Sequence, residues 1–264
     1  MNDALPGYSP ASATDACDSL LEAATPELYR LNAFRVLELP TDATAREIAR
    51  RADMLTMIEK YGNGKPKGRG PLGLTPSPDE NALRAALQRL HDPERRLVDE
   101  FFWFWPAKLG KGKTDPCLLA LAAGDVQLAY DTWSCAEMNG SESNVSTHNI
   151  AVLTHALALD HELSSRETEL SEKNLRQRDS AWTSAFQRWK ELLEYEGFWS
   201  RLSARIRDFG DPRLTAGTAR RFRRSLPVAI LTINAQLAVQ AAERGDKSEA
   251  ERHVHIARTS GFDA

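Results

Sequence analysis

The apolar residues of this chain are those that helices favour. Its 264 residues include 36 Ala and 32 Leu, against 8 Val and 7 Ile. Ala and Leu rank among the best helix formers, whereas strands draw on β-branched side chains. So few β-branched residues cannot build a large sheet, and the expected fold is all-α. With 42% hydrophobic and 27% charged residues, the chain can bury a substantial core without disulfide or metal staples. Its length predicts about two domains.

The same counts exclude several functions. A net charge of −3 argues against a generic nucleic-acid binder. Cys17, Cys117 and Cys135 are odd in number and lack a C-x-x-C spacing, so no disulfide framework is expected and a reducing cytoplasm fits best. The start, MNDALPGYSPASATDACDSLLEA, has neither a basic region nor an apolar one, so no secretory signal is expected. The apolar runs read as shorter than the roughly 20 residues of a membrane helix, and no membrane partner is expected. Neither G-x-S-x-G nor H-E-x-x-H occurs, and no carboxylate pair stands isolated among apolar residues, so the chain reads as a non-enzyme without cofactor. His148 and His155, seven apart, share a helix face, while His253 and His255 point in different directions. No tight Cys/His set suggests a metal.

Along the chain, residues 1–26 read as a flexible lead-in, with a short helix around Ser19–Ala24 as its one candidate element. Leu28, Leu31, Phe34 and Leu37 predict a helix over Glu27–Leu37, ended by Pro40. Thr44 and Glu47 have capping-box spacing, with a helix following to about Lys60. Tyr61–Pro78 is rich in Gly and Pro and should be irregular. A helix from Pro78–Asn81 should bury Leu83, Leu87 and Leu90 against the preceding one, break at Asp92-Pro93, and give way to another helix. Phe101–Trp105 is an unbroken aromatic run that covers every face of a helix. It either fastens the two halves together or forms an exposed docking patch. Residues 106–115 read as a linker, which divides the chain into domains at 27–105 and 116–264.

The second half reads as helical hairpins. Gly124-Asp125 and Gly245-Asp246 mark turns. Residues 163–178 are polar and read as a loop or frayed helix, before a helix capped by Asp179 or Ser180. The last pair is placed at Leu226–Arg244 and Lys247–Thr259. A weak repeat joins Ala129/Trp133/Ala136, Ala185/Trp189/Leu192 and Ala250/Val254/Ala257, a spacing similar to that of degenerate tetratricopeptide-like hairpins.

Two segments of the first half resemble a J-domain, the co-chaperone module that engages the seventy-kilodalton heat-shock ATPase. "NAFRVLELPTDATAREI" is similar to its first helix, loop and second-helix start; "LRAALQRLHDPERRLVDEF" is similar to its third helix, Asp-Pro break and fourth helix. Ala86, Leu87 and Leu90 match the third-helix pattern, with Leu87 in place of an aromatic, and Asp92-Pro93, Arg96 and Asp99 match its ending. The resemblance covers under a third of the chain. The family's His-Pro-Asp trigger would fall at Lys60-Tyr61-Gly62, and that triplet occurs nowhere. Arg51 and Ala52 also stand where the family favours Ala and an aromatic. The resemblance therefore implies the fold and a basic face at Arg46, Arg50 and Arg51 toward an acidic partner, with little or no ATPase stimulation.

Two further basic segments are candidates for partner binding. One is the loop with Lys65, Lys67 and Arg69. The other is Arg201–Arg224, where eight Arg face Asp208 and Asp211 and where Arg220, Arg221, Arg223 and Arg224 surround Phe222. This run suits phosphates, an acidic protein surface, or the chain's own Glu191, Glu194 and Glu196. The expected function is a co-chaperone-like adaptor that binds protein partners, a heat-shock-type ATPase among the candidates. The alternatives are a plain helical scaffold and a nucleic-acid-associated protein using Arg201–Arg224.

Overall fold

The computed structural model describes residues 16–61, 70–140, 143–165 and 172–262. Among these residues the chain is all-α, with twelve α-helices, one 3-10 turn and no strand. The first half holds α1 (Ala16–Ala23), α2 (Ala33–Leu37), α3 (Ala45–Tyr61), α4 (Glu80–His91) and α5 (Pro93–Phe101). A 3-10 turn at Gly112–Thr114 leads to α6 (Pro116–Ala122), α7 (Val126–Met138) and α8 (Ser143–Ser165). Then come α9 (Glu172–Glu194), α10 (Glu196–Phe209), α11 (Thr218–Glu243) and α12 (Lys247–Thr259).

Local chemistry fixes many of these boundaries. At α3, the Thr44 amide donates to the Glu47 carboxylate at 2.8 Å, and the Glu47 amide donates back to Thr44 Oγ1 at 3.3 Å. Asp92 ends α4 and caps α5, accepting from the amides of Glu94 and Arg95 at 3.0 Å, with Pro93 at the first helical position. The two Gly-Asp turns are the same structure twice. Gly124 and Gly245 take φ of +84° and +81°, and Asp125 and Asp246 each accept from an amide three residues on.

Several expectations are corrected. Residues 16–24 are not a free lead-in: Leu20 and Ala24 are fully buried, and α1 packs on α11 and α5. The helix expected over Glu27–Leu37 is broken. Asn32 accepts from the amides of Phe34 and Arg35, which starts α2 afresh and leaves Leu31 exposed. Among the described residues α4 packs mainly on α2 and α5 rather than on α3, with Leu90 buried and Leu83 and Leu87 half-buried. The reason is that α3 offers little apolar surface there: Ile48 is buried, whereas Met54 and Met57 face outward. In the third copy of the repeat, Val254 is exposed rather than packed in a groove.

The polar stretch before Asp179 is helical from Glu172. Arg178, buried within it, is neutralised by Glu249 at 3.0 Å and Glu162 at 3.7 Å. α11 begins at Thr218, so Arg220–Arg224 lie on its first turns, and it continues through Pro227. It contains an 18-residue window of mean hydropathy 1.3, long and apolar enough by composition to cross a membrane, contrary to the reading of the apolar runs. Here it packs against α1, α10 and α12.

The two halves share one core, which runs from Leu20 to Leu237 across the segment read as a linker. All five residues of Phe101–Trp105 are buried. Phe101 lies among Trp189, Phe198 and Phe222, and Phe104 stacks on Trp133. The run fastens the halves and is not an exposed patch. Polar ties reinforce it. The Asn149 carboxamide pairs with the Trp105 amide and carbonyl, both at 2.8 Å. Buried Arg35 forks onto Asp160, and buried Glu100 receives Arg205 through two bonds of 2.8 Å.

Candidate functional site

The capping box that starts α3 also anchors a second element. Lys113 forms an ion pair with Glu47, and the Gly112 amide donates to Asp42 at 2.9 Å. A Cβ at Gly112 would press into Asp42 and lie 2.7 Å from Pro40, so only glycine lets the loop approach this closely. Lys113 foremost, with the Thr44 amide, holds the Glu47 carboxyl down at about 2. The loop is thereby clamped to the first turn of α3, and a groove of about 500 Å³ opens between them.

Arg46 and Arg50, one turn apart on α3, line this groove with Lys111 of the loop. All three are exposed, and none has a side-chain partner among the described residues. The two acids of the groove, Asp42 and Glu47, are each engaged by the loop. What faces solvent is a cluster of cations without ion pairs, and with Lys113 they outnumber the groove's two acids four to two, a surplus suited to attract an acidic surface. Lys111 and Lys113 belong to the stretch read only as a linker; the Gly-Lys alternation of 110–113 was the available signal.

The other candidate residues separate. Arg51 is not part of this face: it is half-buried and bonded to Glu38 at 2.9 Å. Lys65, Lys67 and Arg69 lie outside the described residues. Arg220 and Arg224 are exposed without a partner among the described residues. Arg221 donates to Thr218, and Arg223 pairs with Glu196 and lies 5.7 Å over the Trp199 ring. None of these four lines the groove. The rest of that segment is largely engaged within the chain. Arg201 donates to the carbonyls of Pro106 and Ala107, Arg205 to Glu100, and Arg213 to Asp211 and Asp92.

Sequence reasoning missed a buried polar hub. Glu162, on α8, accepts from the Trp182 indole at 2.7 Å and pairs with Arg252 and Arg178. His253 approaches the same carboxylate at 3.6 Å. Burial pushes the Glu162 carboxyl up, but His253 and Arg252 prevail and hold it at about 2. Glu162, Glu249 and His253 are close enough together to suggest a metal site. Both carboxylates, however, are already engaged by Arg252 and Arg178, whose charges oppose a cation. Nothing in the local sequence marks Glu162, because its partners lie on α9 and α12.

Two histidines are buried on α8. The His148 ring meets the Phe101 carbonyl at 2.7 Å and stacks on Phe198, and His155 Nδ1 meets the Tyr29 hydroxyl at 3.0 Å. Burial drives them down to about 4 and about 3 respectively. No family model, curated protein or solved structure matches this chain.

Proposed function

We propose that this chain is a non-enzymatic, co-chaperone-like adaptor of the cytoplasm whose groove at Arg46, Arg50 and Lys111 docks an acidic protein surface. The observation that carries this reading is that none of the three forms an ion pair among the described residues, while four cations outnumber two acids in the groove. Most basic side chains of the second half are tied to the fold, whereas these three are held together and left unpaired. The order of α2 to α5 and the Asp92-Pro93 break support a J-like descent for this half. A heat-shock-type ATPase is accordingly the first partner to test. Without His-Pro-Asp, docking should not stimulate hydrolysis.

The test titrates the full chain into a heat-shock ATPase at two salt concentrations, following binding and single-turnover hydrolysis, with Arg50→Glu alongside. The reading expects binding that weakens with salt and with Arg50→Glu, without stimulation. Strong stimulation would refute the adaptor reading. Absence of binding at low salt would leave the plain helical scaffold. The packing of α4 on α2 and α5 rather than α3 favours that second reading.

A further inference from the structure

We propose that the outer face of α11 binds a second copy of this chain, with the two α11 helices antiparallel about a two-fold axis. From Ser225 to Ala242 this helix carries no charged residue. Its inner side buries Leu226, Ile230, Ile233 and Leu237 in the core. A surface helix normally turns charged and polar side chains to water on its other side. Here that side shows Val228, 46% exposed, and Val239, 56% exposed, with Ala235 exposed between them. The Thr232 hydroxyl is turned back onto its own helix, donating to the Val228 carbonyl at 2.8 Å. Val254 of α12, also exposed, lies beside Val239 and widens the apolar face.

The order of this stripe selects its occupant, because it has the same spacing in both directions. Arg224, Val228, Thr232, Ala235, Val239 and Glu243 follow one another at four, four, three, four and four residues. At 3.6 residues per turn they share one side of the helix. In an antiparallel pair, Val228 meets Val239 of the second copy, Thr232 meets Ala235, and Arg224 meets Glu243. The two-fold axis repeats each contact. The small side chains at the centre let the helix axes approach closely. Arg224 and Glu243 are both exposed, and neither has an ion pair among the described residues. A parallel pair would set Arg224 on Arg224 and Glu243 on Glu243. A partner of one charge sign would satisfy only one end. The antiparallel pair also sets the helix dipoles head to tail.

The neighbouring charges leave this pairing free. Arg220 falls about a quarter-turn to the side of the stripe, and Arg244 nearly opposite it. Lys247 pairs with Glu251 at 3.7 Å. A lipid surface fits less well, although α11 is apolar enough by composition. The stripe carries one arginine, one carboxylate and no aromatic side chain, unlike the Lys/Arg-rich, aromatic-bearing helices that lie on bilayers. From Arg224 to Glu243 α11 rises about 28 Å, at roughly 1.5 Å per residue. A contact made mainly by one helix pair of this length is at the small end of specific interfaces, so the dimer should dissociate in the micromolar range. The face shares no residue with the groove at Arg46 and Arg50, so this inference stands whether or not that groove docks an acidic protein.

The experiment is sedimentation velocity of the full chain from about 1 to 200 μM, a range set by the small contact. The expected result is a monomer–dimer equilibrium that weakens with salt. Ala235→Arg, beside the two-fold axis, should weaken association at least tenfold. Arg224→Glu and Glu243→Arg should each weaken it several-fold. The double variant should recover it, because an antiparallel pair then again sets opposite charges on each other at both ends. Arg50→Glu should leave it unchanged. Thermal unfolding of each variant reports its fold; if Ala235→Arg does not fold, the charge exchange decides. A chain that stays monomeric throughout would overturn the proposal, as would a dimer that Ala235→Arg leaves intact or a double variant as weak as the single ones. A dimer lost in Arg50→Glu would place the contact at the basic groove and overturn it equally. Flotation of a monomeric chain with phosphatidylcholine–phosphatidylserine vesicles, lost in Ala235→Arg, would assign the face to a lipid surface and overturn it as well.

Discussion

Lowering the pH should destabilise this protein through His148 and His155 before its carboxylates contribute. Unfolded, each imidazole titrates near 6.5; folded, burial holds His148 at about 4 and His155 at about 3. The folded-state values are depressed, so below about pH 6.5 the unfolded chain takes up protons that the native chain refuses. Stability is highest above that value and falls with pH, at up to about 1.4 kcal/mol per unit for each histidine. The loss levels off only near pH 4 for His148 and pH 3 for His155. Between pH 7 and pH 5 the linkage relation gives roughly 2 kcal/mol per histidine, about 4 kcal/mol for the pair. The measurement is urea unfolding followed by tryptophan fluorescence, with Trp182 and Trp189 as buried reporters close to His155. It compares the parent chain with His148→Gln, His155→Gln and the double variant. Each variant should be less stable at pH 7, and its deficit should shrink as the pH falls. A deficit that stays constant from pH 7 to pH 5 would show that these imidazoles ionise freely in the native state and would refute the reasoning. Glu162 acts in a lower window that overlaps the end of theirs: its carboxyl is depressed from 4.5 to about 2, so its contribution is present above pH 4.5 and lost as the pH falls toward 2.

Two further outcomes follow from the packing. Glu162→Ala leaves Arg178 and Arg252 with Glu249 but takes the acceptor from the buried Trp182 indole, so chemical denaturation should show a loss of about 1–3 kcal/mol, whereas Arg84→Ala, at an exposed i,i+4 pair, should cost less than about 1 kcal/mol. Phe101→Ala opens a cavity where Trp189, Phe198 and Phe222 meet; it should cost roughly 3–5 kcal/mol and shift the unfolding of both halves together, and a separate transition for either half would contradict the shared core.

The parts of this fold that were legible in the sequence are those whose chemistry is local. Thr44 with Glu47, Asp92 with Pro93, and the paired Gly-Asp turns each complete their hydrogen bonds within a few residues. The start of α9 was not legible, because its polar first turns are stabilised from elsewhere. Arg178 finds Glu162 sixteen residues earlier and Glu249 seventy-one residues later. Asn32 was legible in principle: an Asn before Ala33-Phe34 is a cap signal, but the leucine spacing of Glu27–Leu37 outweighed it. Phe101–Trp105 announced burial by its composition, yet its neighbours on α7, α9, α10 and α11 depend on the tertiary arrangement.

The candidate sites make the same point about charge. Arg201–Arg224 carries eight cations, more than either other basic segment, and on that basis it ranked beside α3 as a binding surface. In the fold, Arg205 sits on buried Glu100, Arg213 reaches Asp92, and Arg223 meets Glu196. These cations hold α10 and α11 to the rest of the molecule and leave only part of their charge for a ligand. Arg46, Arg50 and Lys111 are fewer, and Lys111 comes from a stretch that reads as a spacer. They remain unpaired because the acids beside them face the loop: Asp42 accepts from the Gly112 amide, and Glu47 takes Lys113. A binding face is thus set less by how many cations a segment carries than by where the neighbouring carboxylates are already committed.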